Sequence, residues 1–271
     1  MRVALLQMTS GIDPERNFAT ISQAARATRE GGACMLFTPE MSLLLDRNRS
    51  RAGTHITPAV TDYYSRLLAQ TAVEQKLFIA LGSMAAARPD GRWANRSVVF
   101  PPDGNRPYQY DKIHMFDVDL AGGESWRESS AYVPGAEVVT VDDTPVGLLG
   151  LTVCYDLRFP ALFDVLGRKR CDAIAVPAAF TVPTGRAHWH VLLRARAIEA
   201  SAYVIAAAQV GLHEDGRRTF GHSLVVDPWG DVVLDMGGEE PGLGFADLDP
   251  ARLTEVRRQL PSLANRRPIA T

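Results

Sequence analysis

Val146–Pro160 reads VGLLGLTVCYDLRFP, an apolar run that stops at a cysteine. Val146, Leu148, Leu149, Leu151 and Val153, interrupted only by small residues and a threonine, form the near-continuous apolar segment expected of a strand buried on both faces of an α/β protein. Pro160 then opens a helix through Ala161, Leu162, Phe163, Val165 and Leu166. Cys154 sits at the junction. The plain reading is a small buried thiol, since free cysteine is among the most buried residue types. Position argues for more: a strand-to-helix junction opens onto a crevice, where helix N-terminal amides favour a thiolate.

Working outward, the same grammar repeats. Val3–Met8 is a first strand, Asp13-Pro14 starts a helix that ends at Gly31-Gly32, and Cys34–Phe37 is a second buried strand. That strand ends in Thr38-Pro39-Glu40, so a carboxylate stands where the thiol stands later. Asp46–Arg51 (DRNRSR) reads as a polar loop carrying Arg47, Arg49 and Arg51. Pro58 opens a helix with apolar positions at Val60, Tyr64, Leu67, Leu68 and Val73, followed by a strand over Leu77–Leu81. Arg92–Phe100 and Arg106–Asp111 form an antiparallel pair running into Lys112-Ile113-His114. A long loop, Phe116–Gly135, carries Glu128; loops beyond about 15 residues are commonly functional or disordered.

Past the central stretch, with its partner strand Val138–Val141, come a strand at Ala173–Val176 and a helix over Gly185–Ala200. That helix turns Trp189, Leu192, Leu193 and Ile198 inward and leaves Arg194, Arg196 and Glu199 for pairing. Strands at Tyr203–Gln209, Gly221–Asp227, Asp231–Asp235 and Gly242–Leu248 follow, then a helix from Pro250 to about Leu260. Strands and helices alternate in both halves, with hairpins between. The pattern implies an α/β fold of two mixed sheets faced by helices, not one doubly wound sheet.

Composition narrows the class. The 271 residues are 46% hydrophobic and 22% charged, with net charge −2. That is ordinary globular composition, and no basic surplus calls for nucleic acid. Nothing approaches the roughly 18 to 20 apolar residues of a membrane span. Three cysteines without a CxxC spacing point to a reducing cytoplasm, with Cys34 and Cys171 read as core thiols.

Glu40, Lys112 and Cys154 each break an apolar context at a strand end. Singly they read as a helix-terminal charge, an edge lysine and a buried thiol. Together they supply a nucleophile, its base and a cation for a developing oxyanion. The motifs around them, FTPE, YDKIHMFD and LTVCYDLRFP, resemble those of the nitrilase superfamily of carbon-nitrogen hydrolases. The likeness continues through WRESSAYVPG around Glu128, the stretch from Thr184, GHSLVVDPWG from Gly221 and RRQLPSLANRRP. It spans essentially the whole chain.

The resemblance implies a four-layer αββα sandwich formed by one domain over residues 1–271. It implies a Glu40-Lys112-Cys154 triad with Glu128 as a second glutamate, no metal and no cofactor. The Tyr155 N–H joins Lys112 as oxyanion donor. Within the superfamily the motifs look closest to the Nit amidase branch, in particular the Nit1-like deaminated glutathione amidases, which act on an α-keto acid amide. Alternatives are an ω-amidase acting on 2-oxoglutaramate or 2-oxosuccinamate, an N-carbamoyl amino acid amidohydrolase and a nitrilase. Tyr155, Arg158 and Phe180 would border the substrate, and Arg47, with its neighbours, could pair with a substrate carboxylate. A structural salt bridge to Asp156 or Glu199 is the plainer reading of Arg158. His188-Trp189-His190 is read as packing, because an i,i+2 pair on a helix diverges and no third ligand lies nearby in sequence. The tail at about 261–271, with Arg266, Arg267 and Pro268, is expected to extend onto a second subunit of a homodimer or larger homo-oligomer.

Overall fold

The computed structural model describes residues 1–119 and 125–267, so part of the long loop and the end of the tail, Pro268 included, lie outside the described residues. The chain begins with β1 (Arg2–Gln7), α1 (Pro14–Glu30), β2 (Met35–Phe37), α2 (Arg49–His55) and α3 (Pro58–Gln75), then β3 (Phe78–Ala87), β4 (Trp93–Phe100) and β5 (Tyr108–Asp111). A hairpin of β6 (Asp117–Asp119) and β7 (Ser125–Arg127) leads to β8 (Thr140–Thr144), β9 (Gly147–Leu151), α4 (Pro160–Arg168), β10 (Ala173–Ala175) and α5 (Val182–Ala200). The remainder is β11 (Tyr203–Ala206), β12 (Val210–Leu212), β13 (Arg218–Phe220), β14 (Leu224–Val226), β15 (Val232–Asp235), β16 (Gly242–Asp247) and α6 (Pro250–Gln259).

Two six-stranded mixed sheets result, ordered β16-β1-β2-β3-β4-β5 and β15-β14-β11-β10-β9-β8. Each has three parallel strands, β1-β2-β3 or β9-β10-β11, flanked by antiparallel ones. The period-2 side-chain alternation sorts the first sheet's residues between two cores. Val3, Leu5, Met35, Phe37, Ala80 and Val99 face the second sheet. Ala4, Leu6, Leu36, Ile79, Leu81 and Val98 face α1 and α3 through Ile21, Ala25, Leu68 and Ala72. On the far side, Leu162, Phe163 and Leu166 of α4 and Trp189, Leu193 and Ala197 of α5 cover the second sheet. The order helix, sheet, sheet, helix is the expected αββα sandwich, and it accounts for strands that read as unbroken apolar runs.

The structure amends several local expectations. Asp46–Arg51 is not a plain loop: Asn48 caps α2, its side chain accepting from the Arg51 N–H at 3.1 Å, so an Asx cap starts a helix where charge alone suggested coil. The β6–β7 and β12–β13 hairpins are too short to show a periodicity. Val73, Val165 and Ile198 are exposed. In α5 the buried face runs through Trp189, Leu193, Arg196, Ala197 and Ala200, which rotates Ile198 outward. Arg196 takes an inward position because its Nε donates to the Leu157 carbonyl at 3.0 Å and its Nη1 pairs with Glu199 at 2.8 Å. Cys171 is a core thiol; Cys34 is half-exposed, its Sγ 3.2 Å from the Arg2 carbonyl. The described part of the tail is not extended. It turns at Pro261, whose carbonyl accepts from Ala264 and Asn265, and Arg266 pairs with Asp164 of α4 at 3.0 Å.

One glycine positions the first site segment. A Cβ on Gly82 would lie 2.0 Å from the Thr38 carbonyl and 2.4 Å from that of Pro39. The β3–β4 register shift falls here, between Leu81 and Met84, and lets the Thr38-Pro39-Glu40 turn lie against β3. Gly82→Ala must push backbone against backbone. We expect a loss of at least about 2 kcal/mol by urea unfolding, with impaired activity in the folded fraction; wild-type stability contradicts this packing.

Candidate active site

Four polar groups meet where the two sheets face one another. Glu40 follows the C-terminal end of β2 and Lys112 follows β5, both in the first sheet. Cys154 follows β9 in the second, and Glu128 opens a short 3₁₀ turn after β7. Lys112 Nζ donates to Glu40 Oε1 at 2.9 Å and to Glu128 Oε2 at 2.9 Å. These side chains are deeply buried, at 2% exposure for Lys112, 7% for Glu40 and 13% for Glu128, so solvent screens them little. The carboxylates are further satisfied. Glu128 Oε2 accepts from the Phe116 N–H at 2.7 Å, and Glu40 Oε2 accepts from the Ala179 N–H at 3.1 Å.

The sequence-predicted quartet is therefore one connected cluster. Asn95 of β4 was missed, although its Nδ2 donates to Glu40 Oε1 at 2.9 Å and to Glu128 Oε1 at 3.0 Å. The signal was available: alternation along β4 places Asn95 on the face of Ser97 and Val99, a polar side chain in an inward register. Gln209, fully buried, holds the Glu40 backbone by donating to its carbonyl at 2.9 Å.

Cys154 occupies a left-handed conformation, φ 49°, unfavourable for a non-glycine residue. The following turn keeps it there. Asp156, fully buried, accepts from the Val153 N–H at 2.9 Å, the Tyr110 hydroxyl at 2.6 Å and the His114 N–H at 3.0 Å, with His114 Nδ1 at 2.7 Å. The Cys154 N–H is itself committed to the Pro177 carbonyl at 2.8 Å. Asp156 is thus spent on the turn, which corrects the idea that it pairs with Arg158.

The electrostatics also overturn the expectation of a resting thiolate. Burial, then the adjacent Glu40 carboxylate, pushes the Cys154 thiol well above its ordinary value against the pull of Lys112. Burial alone would raise Glu40, but Lys112, the Cys154 hydrogen bond and Asn95 outweigh it and hold this carboxyl below its usual value. Burial would likewise depress Lys112, yet Glu128 and Glu40 raise it well above the ordinary lysine value. At neutral pH these directions leave the thiol protonated, Glu40 ionised and Lys112 charged.

Around the cluster the other expected residues separate into two groups. The Arg158 guanidinium lies between the Tyr155 and Phe180 rings, 5.8 and 5.4 Å from their centroids, and donates to His188 Nδ1 at 3.3 Å. Tyr155 also packs edge-on against Phe116 and Phe159. Glu199 pairs with Arg196, so neither suggested salt bridge of Arg158 forms. Arg47 stands apart, 5.6 Å over Trp126, with Arg217 at 5.4 Å from the same ring. Arg51 is engaged with Asp46 at 2.7 Å and Arg49 with the Arg127 carbonyl and Ser130, whereas the Arg47 side chain has only a long ionic contact, 4.0 Å, to Asp215.

A buried thiol in a strained turn, paired with an ionised carboxylate and a lysine, defines a hydrolase that works through a cysteine nucleophile. The carbon-nitrogen hydrolase profile matches residues 2–258, and the chain belongs to that family. It is 41% identical to the deaminated glutathione amidase of Yersinia enterocolitica, over 99% of this chain and 94% of that one. It resembles the crystal structure of the Caenorhabditis elegans NitFhit protein with a TM-score of 0.89 and 35% identity, covering 98% of this chain and 65% of that one. It also resembles a mutant amidase from Nesterenkonia sp. AN1 showing covalent addition of the acetamide moiety of fluoroacetamide at its active site cysteine, with a TM-score of 0.81, 26% identity and coverage of 98% and 94%. The protein is an enzyme that hydrolyses carbon-nitrogen bonds.

The protonation pattern has a spectroscopic consequence. Thiolate absorbance near 240 nm, taken as wild type minus Cys154→Ala, is expected to be absent at pH 7 and to rise only at a pH above that at which an ordinary cysteine ionises. A Cys154-dependent thiolate band at pH 7 contradicts the assignment.

Proposed function

We propose that the protein is an amidase that cleaves the carboxamide C–N bond of a small α-keto acid amide of the deaminated glutathione kind, with Cys154 as nucleophile, Glu40 as acid and base, Lys112 as oxyanion donor and Glu128 as the group that positions Lys112. The observation that carries it is the buried Lys112 ammonium held by Glu40 and Glu128, with the charges of Glu40 and Lys112 acting directly on the Cys154 thiol. Glu40 accepts the thiol proton as Sγ bonds to the amide carbon. The transfer is uphill at rest, because the thiol is raised and Glu40 lowered. It becomes favourable once the negative charge moves to the carbonyl oxygen, which Lys112 Nζ and the Tyr155 N–H hold.

Collapse of the tetrahedral intermediate breaks the C–N bond. Glu40 returns its proton to the departing amine, leaving a thioester on Cys154. Water then gives a proton to Glu40 and adds to the thioester carbon. Breakdown of that second intermediate releases the keto acid, while the sulfur recovers the proton from Glu40.

Recognition of the acid end is assigned to Arg158, whose flanking Tyr155 and Phe180 rings restrict the guanidinium and leave its charge for a carboxylate. Arg47, half-exposed over Trp126, is assigned the far end of the substrate. The free state of Cys34, Cys154 and Cys171 supports work in a reducing compartment such as the cytoplasm; a disulfide found in protein taken from its cell contradicts that. No helix among the described residues is long and apolar enough to cross a membrane. We also assign a homodimer or larger homo-oligomer, supported by Val165, Val191 and Ile198, exposed on α4 and α5. A single-subunit mass by light scattering at micromolar concentration contradicts it.

The function is tested with deaminated glutathione, 2-oxoglutaramate, an N-carbamoyl amino acid and a simple nitrile. Turnover is expected to be fastest on deaminated glutathione. Cys154→Ala should lower kcat by at least about 10³-fold, whereas Arg158→Met should act mainly by raising KM for the keto acid. Activity surviving Cys154→Ala, or a preference for the nitrile, overturns the proposal.

A further inference from the structure

Away from the catalytic cluster, three metal-ligating side chains from separate elements converge. His190 lies mid-way along α5, His222 precedes β14 and Asp235 ends β15. His190 Nε2 is 2.9 Å from Asp235 Oδ2, and His222 Nδ1 is 2.9 Å from Oδ1. The two nitrogens and a carboxylate oxygen all lie within 4.8 Å of one another. Sequence spacing gave no hint of this set, because 32 and 13 residues separate its members and only the α5 packing and the β14–β15 hairpin unite them.

The geometry points to a divalent transition-metal site, of the Zn²⁺ class, ligated by His190 Nε2, His222 Nδ1 and the Asp235 carboxylate. Two imidazoles and one carboxylate are a donor set that zinc accepts, with a solvent molecule completing the tetrahedron. Bonds of about 2.0 Å separate tetrahedral ligand atoms by about 3.3 Å. The imidazole–carboxylate distances are already close to that, and no separation in the set exceeds 4.8 Å, within reach of side-chain rotation. Side-chain exposures of 36%, 26% and 32% leave the cluster open to an ion from solvent. Neither His190 Nδ1 nor His222 Nε2 has a hydrogen-bond partner among the described residues. Each ring can therefore carry its proton on the remote nitrogen and offer the near one as a lone pair.

Preorganisation sets the cluster apart from a chance surface grouping. Asp235 Oδ1 accepts from the Gly237 N–H at 2.9 Å, and the His222 N–H donates to the Gly237 carbonyl at 2.8 Å. The His222 ring stacks on Phe220 at 4.5 Å, and its backbone is held at φ 55°. These contacts hold His222 and Asp235 in position before an ion arrives. The ion ties α5 to the β14–β15 hairpin. Its reach extends to the substrate wall: the Trp189 indole N–H donates to the His222 carbonyl at 2.8 Å, and Phe180 packs on Trp189 at 4.8 Å. By joining two elements the bound zinc raises the unfolding temperature, and it takes no part in amide cleavage.

The test uses tag-free chain carrying Cys154→Ala, which removes the catalytic thiol as a competing zinc ligand, stripped with chelator and titrated with ZnCl₂ by calorimetry. One ion per chain with micromolar affinity is expected, with a higher unfolding temperature. His190→Gln and Asp235→Asn should each weaken binding by at least about tenfold, circular dichroism showing the fold retained. Co²⁺ in place of Zn²⁺ should give the visible d–d bands of a four-coordinate nitrogen–oxygen site in the parent chain and not in His190→Gln. Absence of binding below about 100 µM, unchanged affinity in the folded variants, or no d–d bands in the parent chain each overturn the site. The readout is independent of amidase activity, so failure of the substrate proposal leaves it standing.

Discussion

Lys112, buried between Glu40 and Glu128, is the contact on which the rest of the structure depends. An ammonium and two carboxylates removed from water are costly, and their mutual attraction offsets that cost only when every lone pair and proton is matched. The matching groups come from scattered places: Asn95 in β4 and the Phe116 and Ala179 N–H groups. Only a fold that brings the strand ends of two sheets together can supply them all. The αββα sandwich does so by facing the end of β2 toward the end of β9.

A second constraint sits on the sulfur. Cys154 adopts a left-handed backbone that a non-glycine residue enters at a cost of order 1 kcal/mol, and the buried Asp156 network holds it there. In the proposed mechanism, reactivity then comes from Glu40 as proton acceptor and not from a pre-formed thiolate. A thiol that stays protonated until an amide arrives is protected from adventitious oxidation, since the thiolate is the reactive species.

Much of this was legible in the sequence. Strands buried on both faces read as unbroken apolar runs, and Glu40, Lys112 and Cys154 announced themselves by ending such runs. The remainder was hidden for identifiable reasons. Asn95 needs the register of β4 before its inward direction shows, and the α2 cap at Asn48 is a local side-chain bond masked by surrounding arginines. Helix-terminal amides suggested a thiolate at Cys154, whereas burial and Glu40 prevail, a balance that appears only once distances exist. His190, His222 and Asp235 are joined purely by tertiary packing. Arg158 reads as bordering the substrate, with an ion pair as the plainer alternative; that ion pair does not form, because its candidate acids are committed to Tyr110, His114 and Arg196.

The central claim is that the sulfur of Cys154 carries the acyl group between the two halves of the reaction. Rapid acid quenching during turnover of deaminated glutathione, followed by peptide mass mapping, tests it most directly. The account predicts an adduct equal to the keto acid acyl group on the peptide containing Cys154, absent in Cys154→Ala. Continued turnover with that peptide unmodified, or the acyl group found on another residue, would contradict it.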